Sequence, residues 1–469
     1  MRFEIRRDVL RLALPVLTEQ SFFILLGIVN TIMAGRISRE AGAATGAVDS
    51  INVIFINFFA ALSIGATVVV AQYIGQRNIR MANEAVKQAL VANTLISTAS
   101  AILIWILGDW ILHMLYGKAE PAVMSAMQTY LNITLIGYPL MAITQVIWGC
   151  LRGAGDTKTP MKVNVLMNIL NIVLGYVLIY GLHVKNIHFS IDIDGQGVRG
   201  AAIGITLARG IGTLLAILII WRGVSVIRLK NLRKFRFDPG IQRSIFSISS
   251  PSGSESLLFN GGKIITQVFI AGMGTVALAA NTFASSVVAY MNLPGLALQT
   301  TLTTMVGQAM GRQDINEAER TFRYIVKLGT LCTTALGLIT LPLSYWLARM
   351  FSSDADIVQL TTHIIQLNCL FMCFWSASFV IPAGLKGAGD ARFAMWATMA
   401  GMWLFRIVMG YILGIALGFG IMGVWMGMFI DWMLRAALFY RRMVSGKWKA
   451  MSVIGRAATP ANTPPVDAN

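Results

Sequence analysis

The string LRGAGDTKTPMKVN at residues 151–164 returns, lightly altered, as LKGAGDARFAMWAT at residues 385–398. The two copies stand at corresponding places in the two halves of the chain, so the second half restates the first. Each copy predicts a helix end, a turn and a new helix, because the glycines permit a left-handed turn and Asp156 and Asp390 can cap the helix that follows. Neither copy has the spacing of a phosphate-binding loop.

Other positions repeat in the same way. Glu19 pairs with Glu255 and Gln72 with Gln308 at one and the same offset, which is close to that of the repeated string. A near-constant offset over separate parts of a chain is typical of an internal duplication. The sequence therefore predicts two halves of the same architecture.

The composition places both halves in lipid. Hydrophobic residues make up 56% of the chain, charged residues only 13%, and the mean hydropathy is +0.67, whereas soluble domains are about 25% charged. Twelve apolar stretches are long enough to cross a bilayer, and we expect all to be helices because unpaired strand edges are costly in lipid. The predicted spans are 10–34, 51–75, 86–110, 125–151, 160–183, 199–221, 248–272, 285–310, 324–350, 360–384, 393–416 and 419–440.

We therefore predict an all-α membrane protein with twelve transmembrane helices in two six-helix bundles, related by a pseudo-two-fold axis along the membrane normal. The predicted units are residues 1–221, a basic linker 222–247, residues 248–441 and a tail 442–469 that is disordered at its end. Basic residues number 28 on one side of the predicted spans and 6 on the other, which puts both termini in the cytoplasm. The net charge of +17 then faces anionic lipid headgroups, and we expect no nucleic-acid partner.

An ordered set of motifs resembles the multidrug and toxic compound extrusion (MATE) family. The set comprises LPVLTEQSFFILLGIVNTIMAGRI, VVVAQYIG, LRGAGDTKTP, NIVLGYVLIYG, GAAIGITLARGIG, PSGSESLLFNGGK and ALAANTFA. The resemblance implies a secondary transporter that exports organic, often cationic, compounds in exchange for H⁺ or Na⁺ by alternating access. It also implies a monomer in a bacterial inner membrane, with small organic substrates and membrane lipids as its partners and with neither a cofactor nor a bound metal.

The chain departs from the family where many relatives carry coupling acids. Asn30 and Gly175 stand where those relatives have aspartates in the first and fifth spans. Neither side chain can take up a proton near neutral pH. We therefore expect coupling through another intramembrane carboxylate, because a charge inside a span is costly and marks function.

The candidate coupling carboxylates are Glu255 first, then Glu19 and Asp431. A purely structural role is the alternative for each: the two glutamates can sit at a helix N-terminus, and Asp431 can pair with Arg435 one turn on. Lys263 lies two turns beyond Glu255 and could pair with that carboxylate.

The candidate cavity residues are polar side chains within spans: Asn30, Asn164, Asn168, Asn171 and Arg406. The three asparagines of the fifth span share one helix face, which suits either a wet cavity or helix–helix hydrogen bonds. Arg209 in the sixth span has no evident partner.

Two other functional classes remain open. A flippase for a lipid-linked precursor belongs to the same superfamily, but such chains often carry extra helices and a more cationic cavity. A membrane-embedded enzyme would need a cluster of nucleophile and base, such as H-E-x-x-H or paired aspartates, which the sequence lacks. We therefore expect a transporter and not an enzyme.

Overall fold

The computed structural model describes residues 2–35, 39–117, 119–186, 189–223, 226–229 and 235–454. The helices of the first half are α1 (Arg2–Gly35), α2 (Arg39–Gly75), α3 (Ile79–Tyr116), α4 (Pro121–Leu135), α5 (Gly137–Gly153), α6 (Lys158–Tyr180) and α7 (Gly197–Arg222). Those of the second half are α8 (Pro239–Ala271), α9 (Thr275–Gly311), α10 (Ile315–Phe351), α11 (Ala355–Ala388), α12 (Ala391–Ala400), α13 (Val408–Tyr411) and α14 (Gly420–Val444). An antiparallel hairpin of β1 (Gly181–Asn186) and β2 (Phe189–Asp194) follows α6.

The fold is the predicted one: twelve transmembrane helices in two six-helix bundles. Within the described ranges, ten helical segments are long and apolar enough to cross a membrane, one of them the continuous run from α12 to Ala416. The pair α4–α5, bent by 43°, forms an eleventh span. The twelfth is α8, whose 33 residues include the polar run SGSES and which occupies the place of α1 in the repeat.

Two spans depart from straight helices. We predicted one uninterrupted helix over 125–151, but the structure breaks it between Leu135 and Gly137. Pro139 explains the break, because its nitrogen has no hydrogen to donate to the carbonyl of Leu135 one turn earlier. In the eleventh span, π-helical turns at Gly401–Ile407 and Ile412–Ala416 flank α13, and Arg406 lies in the first of them.

The repeated turns have matching geometry. Gly155 and Gly389 adopt φ of +90° and +109°, the left-handed conformation expected after a helix. The other glycines present in both copies, Gly153 and Gly387, do not make that turn: they remain helical and lie against the neighbouring backbone of α2 and α9. Each of these two positions thus serves close helix packing.

The capping prediction holds in only one copy. The Oδ1 atom of Asp156 accepts the backbone N–H groups of Lys158 and Thr159 at 3.1 and 3.0 Å, as a helix cap should. Asp390 makes no such cap, and its Oδ2 instead accepts a hydrogen bond from Arg442 Nε at 2.7 Å. In the second copy, Asp390 therefore binds a base from the end of α14 and does not cap α12.

Among the described residues, the hydrophobic cores that combine side chains of both halves lie at one end of the molecule. We call this end the basic face; it carries the repeated turns and the ends of α2, α5, α9 and α11. There Val9 and Val16 of α1 pack into a cluster built mainly by the second half, around Leu302 and Phe322. Ile245 of α8 reciprocally packs into the core of the first half.

At the opposite face each half keeps its own core. One cluster is built by α2, α3, α4, α5 and α7, and another by α8, α9, α11 and α14 with side chains of α10 packed against it. Burial of apolar surface therefore joins the halves at the basic face and leaves them separate at the other.

The first part of the predicted tail is packed and not disordered. Residues 445–454, which we call the C-terminal strap, continue from α14 across the basic face. Trp448 is fully buried, lies 5.3 Å from the ring of Phe322 and donates its Nε1 hydrogen to the carbonyl of Met443. Residues 455–469, on which the prediction of a disordered end falls, lie outside the described ranges.

Candidate functional site

A cavity of about 450 Å³ lies between the two halves, above the basic face. Helices α2, α5, α8, α9, α11, α12 and α14 line it. Its polar and charged lining residues are Asn57, Ser63, Thr67, Gln145, Arg152, Ser252, Glu255, Ser256, Asn260, Lys263, Gln299, Thr300, Thr303, Ser378, Lys386, Thr398 and Arg435. The volume is typical of a site for a small organic molecule.

A buried triad of side chains holds Glu19 at the edge of this cavity. Its Oε1 accepts hydrogen bonds from Arg152 Nη2 and from Asn164 Nδ2, both at 2.5 Å. Asn164 in turn accepts the Nε1 hydrogen of Trp148 at 2.9 Å. The second carboxylate oxygen of Glu19 is buried and has no hydrogen-bond partner among the described residues.

The second half builds the same triad from equivalent positions. Lys386 Nζ lies 2.8 Å from Oε2 of Glu255, and Thr398 donates its hydroxyl to Oε1 at 3.1 Å. The Lys386–Glu255 contact is an ion pair by distance but does not have the angle of a hydrogen bond. In the second copy of the repeated string, Lys386 and Thr398 occupy the places of Arg152 and Asn164 in the first, so the internal duplication reproduces the whole triad.

Both triads lie deep in their helices. We predicted Glu19 and Glu255 in the first turn of each span, but α1 begins at Arg2 and α8 at Pro239. At about 1.5 Å per residue, each carboxylate is therefore roughly 24 Å along its helix. The partner of Glu255 also differs from the prediction, since it is Lys386 of α11 and not Lys263.

The third carboxylate has a local partner. Both oxygens of Asp431 accept hydrogen bonds from Arg435, at 2.7 and 2.8 Å, and both side chains are almost fully buried. This is the i, i+4 pair that was the alternative to a coupling role. Arg406 lies near this pair in the π-helical turn, and its buried Nε atom has no partner among the described residues.

The predicted asparagine stripe is only partly brought to the site. Asn164 contacts Glu19, as described above, whereas Asn168 is half-buried and Asn171 is buried farther along α6. None of the three lines the cavity. Asn30 belongs to α1, but its side chain lies outside the described part of the structure.

Several lining residues escaped the sequence interpretation. Asn57, Gln145, Asn260 and Gln299 place four amide side chains in the cavity wall. Their signal was available, because an amide inside an apolar span marks a protein-facing or wet surface as surely as a charge does. Of the amides within spans, only Asn30 and the stripe on α6 entered the prediction.

Asp49 was also missed, because the predicted second span began at residue 51 whereas α2 begins at Arg39. Asp49 accepts hydrogen bonds from Tyr130 at 3.1 Å and Asn52 at 3.4 Å. Arg209 is buried near enough to act on Asp49 electrostatically. Asp49 is thus the carboxylate whose charge acts on Arg209, although the two form no ion pair among the described residues and Nη1 of Arg209 has no hydrogen-bond partner there.

The basic face is closed by a reciprocal pair of glutamines. Gln72 Nε2 donates to the carbonyl of Gly387 at 3.3 Å, and Gln308 Nε2 donates to the carbonyl of Gly153 at 2.9 Å. A Cβ at Gly311 would collide with the backbone carbonyl of Gln72, so the helices α2 and α9 touch there. Equivalent glutamines of the two halves thus each donate to the equivalent glycine of the other half, across the pseudo-two-fold axis.

The chemistry of the site is that of ion pairs and amides. Among the described residues, no group of three or more His, Cys, Asp or Glu side chains is placed to hold a metal ion. Each triad offers one carboxylate that is paired with a base.

Comparisons with known proteins agree with the fold. A family model described as MatE matches residues 15–177 and 251–412, one segment in each half of the chain. An uncharacterized transporter, YisQ, of Bacillus subtilis is 28% identical over 436 residues, which are 92% of this chain and 93% of that protein. A probable multidrug resistance protein NorM of Thermotoga maritima is 27% identical over 457 residues, 97% of this chain and 95% of that protein.

Solved structures share the architecture. The outward-facing structure of a multidrug resistance MATE family transporter aligns with a TM-score of 0.85 at 21% identity. The alignment covers 94% of this chain and 96% of that one. At this identity the likeness is one of fold.

Proposed function

The chain belongs to the MatE family, and we propose that it is a secondary transporter that exports small organic compounds in exchange for an inward cation. The reported relatives are described as a transporter and as a probable multidrug resistance protein. We propose residues 1–221 and 248–441 as the two moving lobes, joined by the linker 222–247, and the basic face as cytoplasmic in a bacterial inner membrane. A monomer supplies the whole cavity, so we propose that one chain is the working unit.

The observation that carries this proposal is the asymmetry between the two faces. The lobes share cores and the glutamine pair at the basic face, whereas each keeps a separate core at the opposite face. Such an arrangement supports rocking: breaking the contacts at one face and forming contacts at the other would turn the cavity toward the cytoplasm.

We propose that Glu255 is the first coupling carboxylate and Glu19 the second. Glu255 lines the cavity and is held there by a lysine, which can be released when the carboxylate is neutralised. Asp431 takes no part in this scheme, because Arg435 occupies both of its oxygens.

The structure of the pair favours H⁺ over Na⁺ as the coupling ion. The ammonium of Lys386 already lies 2.8 Å from Oε2 of Glu255, so a sodium ion would have to compete with a cation that is held in place. A proton can instead bind the carboxylate directly and free Lys386, without removing a charge from the site first. Neutralising Glu255 in this way weakens a contact between α8 and α11 within the second lobe.

The test is transport by the full chain in proteoliposomes with H⁺ and Na⁺ gradients imposed separately, followed with ethidium and with an anionic aromatic dye. We expect a proton gradient to drive transport and Glu255→Gln to abolish the driven component, because the amide keeps the shape but cannot be neutralised by a proton. Glu120→Gln is the matched control, since Glu120 is exposed at the opposite face and makes no capping hydrogen bond.

Equal driven transport by wild type and Glu255→Gln would remove Glu255 from the coupling scheme. Transport that responds to neither gradient, for either dye, would remove the exchange mechanism itself.

A further inference from the structure

The cavity contains a lysine that no carboxylate neutralises. Lys263 of α8 lines the cavity and is exposed to it, and none of the described residues forms an ion pair with it. Its Nζ atom lies 5.1 Å from the centroid of the Phe259 ring. An intramembrane charge without a partner is costly and indicates a binding role.

Its surroundings add further positive charge. Gly262 lies against the side chain of Met402, and Gly401 lies against Asp431 and Arg435, so α8, the π-helical turn and α14 meet beside Lys263. Arg406 belongs to the same turn. The carboxylate of Asp431 at this junction is bound through both oxygens to Arg435, and among the described residues it forms no ion pair with Lys263 or Arg406.

The whole cavity wall has the same bias. Among its described lining residues, the ionisable side chains are four bases and one acid: Arg152, Lys263, Lys386, Arg435 and Glu255. Arg152 and Lys386 are balanced by the glutamates of their triads, and Arg435 by Asp431. Lys263 remains as the uncompensated charge.

An aromatic surface lies next to this charge. The rings of Phe259 and Phe379 meet edge to face at 6.2 Å, and Trp375 stacks on Phe379 at 4.9 Å. The guanidinium of Arg435 also packs against this surface, 4.5 Å from the centroid of the Phe379 ring. The wall thus joins an apolar platform to an unneutralised cation.

We propose that the cavity selects organic anions, in which a carboxylate or another anionic group binds Lys263 and an aromatic or apolar body lies on the Phe259–Phe379 surface. This inference rests on the proposed function and names its substrate class. It replaces the organic cation that the family resemblance implies, because a cationic substrate would be repelled by Lys263 at the point of closest contact.

The test is direct binding to the purified full chain in detergent, with two probes of equal shape and opposite charge, tetraphenylborate and tetraphenylphosphonium. Binding to protein-free micelles is subtracted for each probe. We expect wild type to bind tetraphenylborate more tightly. Lys263→Gln should weaken that binding about tenfold and should strengthen the binding of tetraphenylphosphonium, since the charge that attracts one probe and repels the other is lost.

Two further variants complete the design. Lys263→Glu should reverse the preference between the probes. Arg243→Gln is the matched control, because Arg243 is an exposed base on the same helix outside the cavity, and it should leave both affinities unchanged. The melting temperature of each variant is measured without probe. A variant that keeps the wild-type melting temperature is folded, so its weaker binding reports the loss of the site.

Tighter binding of tetraphenylphosphonium by wild type, or the same preference in a folded Lys263→Gln protein, would overturn the inference. Because binding needs no gradient, this result is independent of coupling. Gradient-driven export of cations alone would support the proposed transport function and contradict the anion selectivity. Binding that prefers anions without any gradient-driven transport would support the selectivity and contradict the transport function.

Discussion

Gln72 should govern the closed state of the basic face far more strongly than its repeat partner Gln308. Gln72 is fully buried and donates to the carbonyl of Gly387, while its Oε1 accepts the backbone N–H groups of Val453 at 3.2 Å and Ile454 at 3.3 Å. The strap is thereby tied to the first lobe. Gln308 makes one comparable bond across the lobes, to Gly153.

The size of the difference follows from the number of bonds. A neutral hydrogen bond contributes about 0.5–1.5 kcal/mol net, and a buried N–H left unpaired costs about 1–3 kcal/mol. Gln72→Met loses four hydrogen bonds, one to Gly387 and three from Ser452, Val453 and Ile454, but the strap can detach and rehydrate its own donors, so we expect about 2–4 kcal/mol of lost closure. At about 1.4 kcal/mol per tenfold, the closed-to-open ratio should fall about 30- to 700-fold. Gln308→Met should change it only about fivefold.

The assay is the distance distribution between spin labels at Ile79→Cys and Ile315→Cys. Both positions are exposed at the starts of α3 and α10, on the basic face, and are repeat partners. The half-exposed Cys332 and Cys373 are replaced first. We expect Gln72→Met to populate a longer distance that Gln308→Met barely shows.

A chain ending at Met451 provides the second arm. It removes both N–H donors to Gln72 and keeps the buried Trp448, so it should open the face as well. Combined with Gln72→Met it should add little, because both changes break the same contacts. Equal effects of the two glutamine variants, or additive effects of Gln72→Met and truncation, would refute the idea of a strap anchored on Gln72.

Two further predictions concern stability, read as melting temperature. Gly389→Ala should lower the melting temperature by several degrees more than Gly418→Ala. Both residues have positive φ, but a Cβ at 389 would also collide with the Met451 carbonyl, whereas Gly418 faces open space. Equal shifts of the two variants would contradict this. Asp49→Asn and Arg209→Gln should each destabilise the first lobe, and the double variant should cost less than the sum of the two, because the charges of Asp49 and Arg209 attract each other; strict additivity in thermal unfolding would show that the two charges are independent.

The sequence could predict the spans, the duplication and the family because each has a local or periodic signal. An apolar window marks a span, and the near-constant offset between matching positions marks the repeat. The same window also misled at the ends of helices: α1, α2 and α8 continue beyond their apolar stretches, which hid Asp49 and put Glu255 too near a terminus. Hydropathy reports where lipid begins and not where a helix ends.

The partners in the site could not be predicted in this way, since they depend on packing between distant helices. Glu255 of α8 meets Lys386 of α11, and Lys263, two turns away on the same helix as Glu255, points elsewhere. The duplication nevertheless contained the answer. Had Glu19 and Glu255 been assumed to share an environment, the matching Arg152 and Lys386 in the repeated turns were the bases to test.

The duplication also shows where the lobes have diverged in chemistry. The first triad uses Arg152 and Asn164, and the second uses Lys386 and Thr398, at equivalent positions. A guanidinium stays charged at any physiological pH, can hold a carboxylate through two nitrogens and resists displacement, whereas an ammonium is a single, mobile donor. The second triad is therefore the easier one to break by protonating its carboxylate.

That difference agrees with the placement of the unneutralised charge. Lys263 and Arg406 belong to the second lobe, and their repeat positions in the first lobe hold Gly27 and Asn171, which carry no charge. Both the weaker triad and the excess of bases thus lie on one side of the pseudo-two-fold axis. We therefore expect both coupling and substrate selection to depend mainly on the second lobe, because the triad that is easier to break and the base without an ion pair among the described residues both belong to it.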